Sequence, residues 1–377
     1  MTKKSNLQAV KKNNKNLILK LIFEHESISR AELKRMTGLA PTTVSTLVEE
    51  LIEKGLVKET GIFETGSIGR KAVSIEINPE GRYFAGVEID DGKAAIGIYD
   101  LRFNEVLYYE AALRSYDEII RFIIESLKDA NNKLNATVYS TAIGISGVVD
   151  MKNNRVLLST VVDVVGENFA ADIRAEFEKM DVFLVNSSGL IAYAEMEKRG
   201  IKDLVTVDIG KGVGAGIIID GNIYTGAGGT AGEFGHISVD MNGEKCKCGN
   251  RGCTELYTNT DAIRKKAEKI LGEDNVTLAR IRKEAESGNK DIIAMIDHTA
   301  EILSYALVGL VNMMAPESVV INGRIKELGN VFLRPLKDAV GEKCSLRQTQ
   351  IEYSSVEGNA VTLGGAQYTF ENMINRI

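Results

Sequence analysis

The first fifty residues carry their apolar side chains at helical spacing. Leu17, Ile18, Leu21, Ile22 and Phe23 line one face of a helix expected over residues 14–24, whereas residues 1–13 are polar and lysine-rich and read as a mobile or weakly helical arm. Ser29 and Glu32 have the spacing of a capping box, and Leu33 and Met36 follow on a second short helix that Gly38 closes. Pro41, whose fixed φ suits a first helical turn, opens a third helix to residue 53, with Val44, Leu47, Val48, Leu51 and Ile52 inward. Two alternating stretches, 56–60 and 72–77, are expected as strands around the tip Gly66-Ser67-Ile68-Gly69-Arg70-Lys71. Helix, short turn, helix and a two-stranded wing form the winged helix-turn-helix plan, which sets the N-terminal end of the third helix in the DNA major groove. Thr42, Thr43, Ser45 and Thr46 are then candidates for phosphate and base-edge contacts, and Arg70 and Lys71 for a phosphate or the minor groove. A protein-interaction module of the same shape is the alternative.

At Asn78-Pro79-Glu80-Gly81 a turn breaks the pattern, and short strands alternating with longer helices begin. Strands are expected at 83–89, 93–100, 105–109, 141–145, 182–185, 204–208, 214–219, 318–321 and 351–355. Helices are expected at 117–134, 168–177, 261–271, 278–287, 291–315, 331–340 and 359–377. This is an α/β chain behind a helical head.

Composition adds a division of charge. Residues 1–75 hold 13 Lys+Arg against 8 Asp+Glu, so the head carries +5 and the remainder −11, as expected of a polyanion-binding head on an acidic body. With 377 residues, 44% of them hydrophobic, the chain has material for two or three packed domains. It has no run of 18 apolar residues and no apolar leader, so no membrane span and a cytoplasmic location are expected.

The strongest chemical signal lies between Gly232 and Glu255. Of four cysteines, three stand within eight positions at Cys246, Cys248 and Cys253, and one of three histidines, His236, precedes them by ten. Three thiolates and an imidazole complete a tetrahedral Zn²⁺ with no open position, the donor set of a structural rather than a catalytic site. Buried free thiols or a disulfide are the alternatives, and a Cys-x-Cys pair is poorly spaced for a mutual disulfide.

The segment from Gly228 to Glu255, with Gly-Glu-Phe-Gly-His followed by Cys-Lys-Cys-Gly-Asn-Arg-Gly-Cys-Thr-Glu, resembles the ROK family of repressors, open reading frames and sugar kinases. The head resembles that of its repressors, of the xylose-repressor and N-acetylglucosamine-repressor type, in Ser-Arg-Ala-Glu-Leu, Thr-Gly-Leu and Gly-Arg-Lys. The resemblance implies a two-lobed actin-like, hexokinase-like ROK domain. Its expected divisions are a head at 1–78, a first lobe at 79–195 with the helix at about 359–377, and a second lobe with the zinc loop at 196–358. It also implies a sugar cleft formed by Asn186, Ser187, Glu233, His236 and Glu255, with His236 ligating zinc through one ring nitrogen and meeting a sugar hydroxyl through the other. For Glu233 and Glu255 the plain alternative is an exposed carboxylate.

Against the family's kinases the chain departs at three places. Ser187 stands where they carry the general-base Asp, Glu88-Ile89-Asp90-Asp91-Gly92 where they have Asp-x-Gly-Gly-Thr for the nucleotide phosphates, and Arg324 where glycines lie near the adenine. Loss of a general base costs typically ~10²–10⁴-fold. The leading expectation is a sugar-responsive repressor of carbohydrate-utilisation genes, binding a double-stranded operator as a homodimer or larger oligomer, with no catalytic residue. The alternative is an ATP- and Mg²⁺-dependent hexose or N-acetylglucosamine kinase with a regulatory head; a pure scaffold has little to support it.

Overall fold

The computed structural model describes residues 3–63, 72–159, 162–344 and 349–376. The chain forms two compact units, one of residues 1–143, 161–184 and 365–377, the other of residues 144–160 and 185–364.

The first unit begins with α1 (Lys3–Glu24), β1 (Ile28–Ser29), α2 (Arg30–Thr37), α3 (Pro41–Glu53), β2 (Val57–Phe63) and β3 (Ala72–Ile77). The local signals act as their chemistry dictates. Ser29 Oγ accepts from Glu32 N–H at 3.2 Å while Glu32 Oε2 accepts from Ser29 N–H at 3.1 Å, and Gly38 ends α2 at φ +69°. Two features differ from the pattern reading. α1 is helical from Lys3, so of the mobile or weakly helical arm expected before residue 14, residues 3–13 take the helical form, continuous with the first helix. Its buried face is Lys15, Ile18, Leu19 and Ile22, leaving Leu17 exposed. The rotation follows from an ion pair: Lys15 Nζ lies 2.6 Å from Glu50 on α3, which Lys11 also engages, so the apolar stripe starts at a lysine that hydropathy alone cannot place inside. β1 adds a third strand to the wing, in the order β1-β3-β2, with Ile28 opposite Ile75; two residues are too few for alternation to show. Ile18, Ile22, Ile28, Leu33, Val44, Leu47 and Leu51 fill the head's core.

Next come β4 (Tyr83–Asp90), β5 (Lys93–Tyr99), β6 (Glu105–Ala112), α4 (Tyr116–Leu134), β7 (Val138–Ile145), β8 (Gly147–Asp150), β9 (Arg155–Ser159), α5 (Phe169–Glu176) and β10 (Asp181–Asn186). A five-stranded sheet runs β10-β7-β4-β5-β6, and β8 pairs β9 as a separate hairpin.

The rest of the chain forms α6 (Ser187–Arg199), β11 (Leu204–Ile209), β12 (Val213–Ile219), β13 (Asn222–Ile223), α7 (Glu255–Thr258), α8 (Thr260–Leu271), α9 (Leu278–Glu286), α10 (Lys290–Met314), β14 (Ser318–Asn322), α11 (Asn330–Lys343), β15 (Gln350–Tyr353) and α12 (Ala360–Ile374). The second sheet runs β13-β12-β11-β14-β15, with β14 parallel to both β11 and β15. α10 is long and apolar enough by length and composition to cross a membrane. Here it is a core helix, burying Ile296, Ala300, Leu303 and Leu307 among Val207, Val319, Ile321 and Phe332.

Candidate functional site

In the head, Thr42 and Thr46 are exposed and Thr43 and Ser45 half-buried on the first turns of α3, while Val44, Leu47 and Val48 face inward. Ala40 precedes the helix and supplies no side-chain cap, so the first-turn N–H groups stay open, as suits a phosphate oxygen. Arg70 and Lys71 lie outside the described residues.

In the second unit, the loop from His236 to Thr254 is held by isolated pairings rather than continuous strands. Val239 N–H donates to Gly252 O at 2.9 Å, Cys246 N–H to Asn250 O at 2.8 Å and Thr254 N–H to Ile237 O at 2.9 Å. Gly252, at φ +60°, must be glycine, since a Cβ there would strike the Asp240 carbonyl. This folding gathers His236, Cys246, Cys248 and Cys253, whose donor atoms all lie within 4.8 Å of one another. Cys248 Sγ and Cys253 Sγ are 3.6 Å apart, and Cys246 Sγ is 3.7 Å from His236 Nδ1. An edge of about 3.8 Å is what a tetrahedron of ~2.3 Å metal–sulfur bonds requires. The group fits a metal chemically as well. Burial, then hydrogen bonding with Cys248 and Cys246, pushes the Cys253 thiol up to about 12, while a hydrogen bond from the Asn250 backbone lowers Cys248. Three clustered thiolates need a cation to share their charge.

The imidazole's orientation separates its two expected roles. Nδ1 faces the thiols, and Nε2 lies 3.7 Å from Glu233 Oε2, so the structure brings Glu233 and His236 together. One oxygen of Glu255 is engaged by the backbone: its Oε2 accepts from Val213 N–H at 3.0 Å, tying the Gly210–Val213 loop to α7, while its Oε1 lies 3.8 Å from Lys247 Nζ. Asn186 caps α6, its Oδ1 accepting from Ser188 N–H at 2.8 Å while its Nδ2 donates to Gly147 O at 2.6 Å. Ser187 is buried, and its hydroxyl has no hydrogen-bond partner among the described residues. A cleft in this unit is lined by Val149, Met151, Asn186, Ala215, Tyr224 and Thr225 among others. Of the five expected sugar residues it contains Asn186. The reading by pattern passed over Tyr224, Thr225 and helix α6, although Asn186 before the helix and Gly200 after it are the usual cap signals.

The places where kinases hold nucleotide are also defined. Asp91-Gly92 is the two-residue turn between paired Asp90 and Lys93. Lys93, although burial works the other way, holds its proton more tightly because Glu88, Glu110, Tyr108 and Asp90 surround it. Arg324 is exposed and pairs with Glu327 at 3.0 Å.

The ROK family's sequence profile matches residues 84–370. The chain belongs to the ROK family. A second profile, winged helix-turn-helix DNA-binding, matches residues 13–58 ahead of the ROK domain. Among relatives, the xylose repressor of Caldicellulosiruptor bescii is 28% identical over 97% of both chains. The xylose repressor of Bacillus subtilis is 27% identical over 98% of this chain and 97% of its own. The N-acetylglucosamine repressor of Escherichia coli is 26% identical over 89% of this chain and 86% of its own. Among solved structures, a ROK family transcriptional regulator described as a homologue of the Escherichia coli Mlc protein superposes with a TM-score of 0.82 over 97% of each chain at 24% identity. A ROK glucokinase from Streptomyces griseus, solved with glucose and AMPPNP, gives 0.65 over 76% of this chain and 98% of its own at 23% identity. The fold is therefore the ROK fold with a winged helix-turn-helix ahead of it; the regulator matches 97% of the chain, and the glucokinase matches 76% of it.

Proposed function

We propose that this ROK chain is a sugar-responsive transcriptional repressor of carbohydrate-utilisation genes. The observation that carries the reading is the joining of a winged helix-turn-helix to a ROK domain in one chain, matched end to end by relatives named as repressors. In this reading residues 1–78 bind operator DNA through Thr42, Thr43, Ser45, Thr46, Arg70 and Lys71. A sugar engages Asn186, Ser187, Glu233, His236 and Glu255 and lowers operator affinity. One structural zinc sits on His236, Cys246, Cys248 and Cys253, bracing the segment that carries Glu255. The protein works in the cytoplasm as a dimer, because two heads related by a two-fold axis read a pseudo-palindromic site.

Phosphoryl transfer needs a positioned base and backbone donors open to phosphate. Ser187 offers no carboxylate, and Val213 N–H is already taken by Glu255. The deciding experiment selects duplex DNA from a randomised pool and measures its release by D-xylose, D-glucose or N-acetyl-D-glucosamine, beside a coupled ATP assay with the same sugars. Salt-dependent DNA binding relieved by one sugar, without turnover, is expected. Turnover near ~1 s⁻¹, the low end for kinases, abolished by Glu233→Ala, would establish an enzyme instead. Arg70→Ala with Lys71→Ala is expected to flatten the salt dependence of DNA binding.

A further inference from the structure

Helix α12 belongs to both units: residues 360–364 count with the second and 365–374 with the first. The change falls at Gly364-Gly365. Glycine inside a helix is less favourable than alanine, so two in succession call for a packing reason. The structure supplies one on each side. A Cβ at Gly364 would strike the Leu190 carbonyl of α6, and one at Gly365 would crowd Gly86 Cα at 3.1 Å and Ala142 O at 3.3 Å. Within the second unit, then, α12 lies backbone against backbone on α6, the helix that Asn186 caps and Ser187 begins. Val361 reinforces this contact by filling the space beside Gly144, next to Ser187 Oγ and Leu190.

Within the first unit the other end of α12 grips the head. Phe370 packs at ring distances of 5.4 Å from Phe23 of α1, 5.7 Å from Phe84 and 5.3 Å from Phe103, and Glu371 binds Lys20 of α1 at 2.8 Å. The β5–β6 turn closes over the same helix end. Arg102 donates to Phe23 O at 2.7 Å and His25 O at 3.1 Å, carbonyls that the end of α1 leaves without helical partners. Buried Asp100 holds that turn by accepting from Arg102 N–H and Asn104 N–H.

We propose that α12 couples the sugar-site end of α6 to the DNA-binding head, with Phe370, Glu371 and Arg102 as positioning residues for α1. The proposal rests on the sugar-site reading above. A sugar that repositions Asn186 and Ser187 moves α6 against a helix that close packing does not let slide, and the displacement reaches α1 through Phe370 and Glu371.

Hydrogen exchange of the full, metal-loaded chain tests this, with saturating D-xylose, D-glucose or N-acetyl-D-glucosamine as probes. In the unaltered protein, the sugar that slows exchange at residues 186–190 is expected to change exchange at residues 18–24 by on the order of fivefold or more, the low end of measured couplings. Phe370→Leu and Arg102→Gln should keep the first response and lose most of the second. Glu371→Lys should weaken the second, and Glu371→Lys with Lys20→Glu should restore it, a rescue that general destabilisation does not give. Protection at 186–190 with no response at 18–24, or an undiminished response in the Phe370→Leu and Arg102→Gln chains, overturns the coupling and leaves the sugar site standing. If none of the sugars protects 186–190, the sugar-site reading falls and the coupling falls with it.

Discussion

The head and the Cys/His loop are stabilised by opposite means. In the head, caps and apolar spacing specify each helix locally, and Ile18, Leu33, Val44, Leu47 and Leu51 then bury completely or nearly so. In the loop, isolated pairings and four converging donor atoms replace a core, and Met241 stands 84% exposed. Each region is vulnerable in its own way: the head to cavities, the loop to loss of one of its four converging donor residues.

The largest expected effect is on the loop. Cys253→Ala should abolish binding of about one zinc per chain and unfold residues 236–255, since metal-binding energy in such sites is folding energy, ~10–16 kcal/mol in zinc-finger peptides. Metal analysis with hydrogen exchange checks it, and retention of a full equivalent would contradict the assigned ligands. Leu47→Ala comes next and should cost the head about 2–5 kcal/mol, lowering its melting transition and DNA binding while leaving metal content unchanged. Thr42→Ala with Thr46→Ala should separate function from stability. DNA selected by the protein should bind more weakly by about 0.5–1.5 kcal/mol per lost hydrogen bond, with the melting temperature nearly unmoved because both residues are exposed.

The smallest effect concerns Glu50, whose carboxyl is lowered by its hydrogen bonds to Lys11 and then Lys15. A depressed folded-state value stabilises the fold above the unfolded carboxylate range, near ~4.3, and that contribution disappears as pH falls through the folded value. Glu50→Gln should therefore cost about 1 kcal/mol at neutral pH and progressively less as pH falls through the folded value, so that a pH series of denaturant melts of the two proteins would draw together toward acid. A constant gap between the two proteins at every pH would rule out the ion pairs as its cause.

The ligand side shows how far pattern reaches. The Cys/His cluster was legible because cysteine and histidine are rare and their spacing is itself a signature. Glu255 was legible as important, but its bond to Val213 N–H spans 42 positions and has no local mark. Helix α6 was hidden because Asn186 and Ser187 drew attention as ligand residues, although the same asparagine is an N-cap.

What the sequence by itself determined are features written within a few residues: the capping box at Ser29 and Glu32, the left-handed Gly38, the Pro41 start, the apolar periods of α4 and α10, and the Cys/His set. Those depend on backbone preference and donor chemistry, which travel with the residue. Only the tertiary structure decided the inward turn of Lys15, the third wing strand, the commitment of Glu255, and the grip of α12 on both α6 and α1. These depend on partners tens to hundreds of positions away, and close packing, which admits a glycine where it would refuse a methyl group, selects them only once the chain has folded.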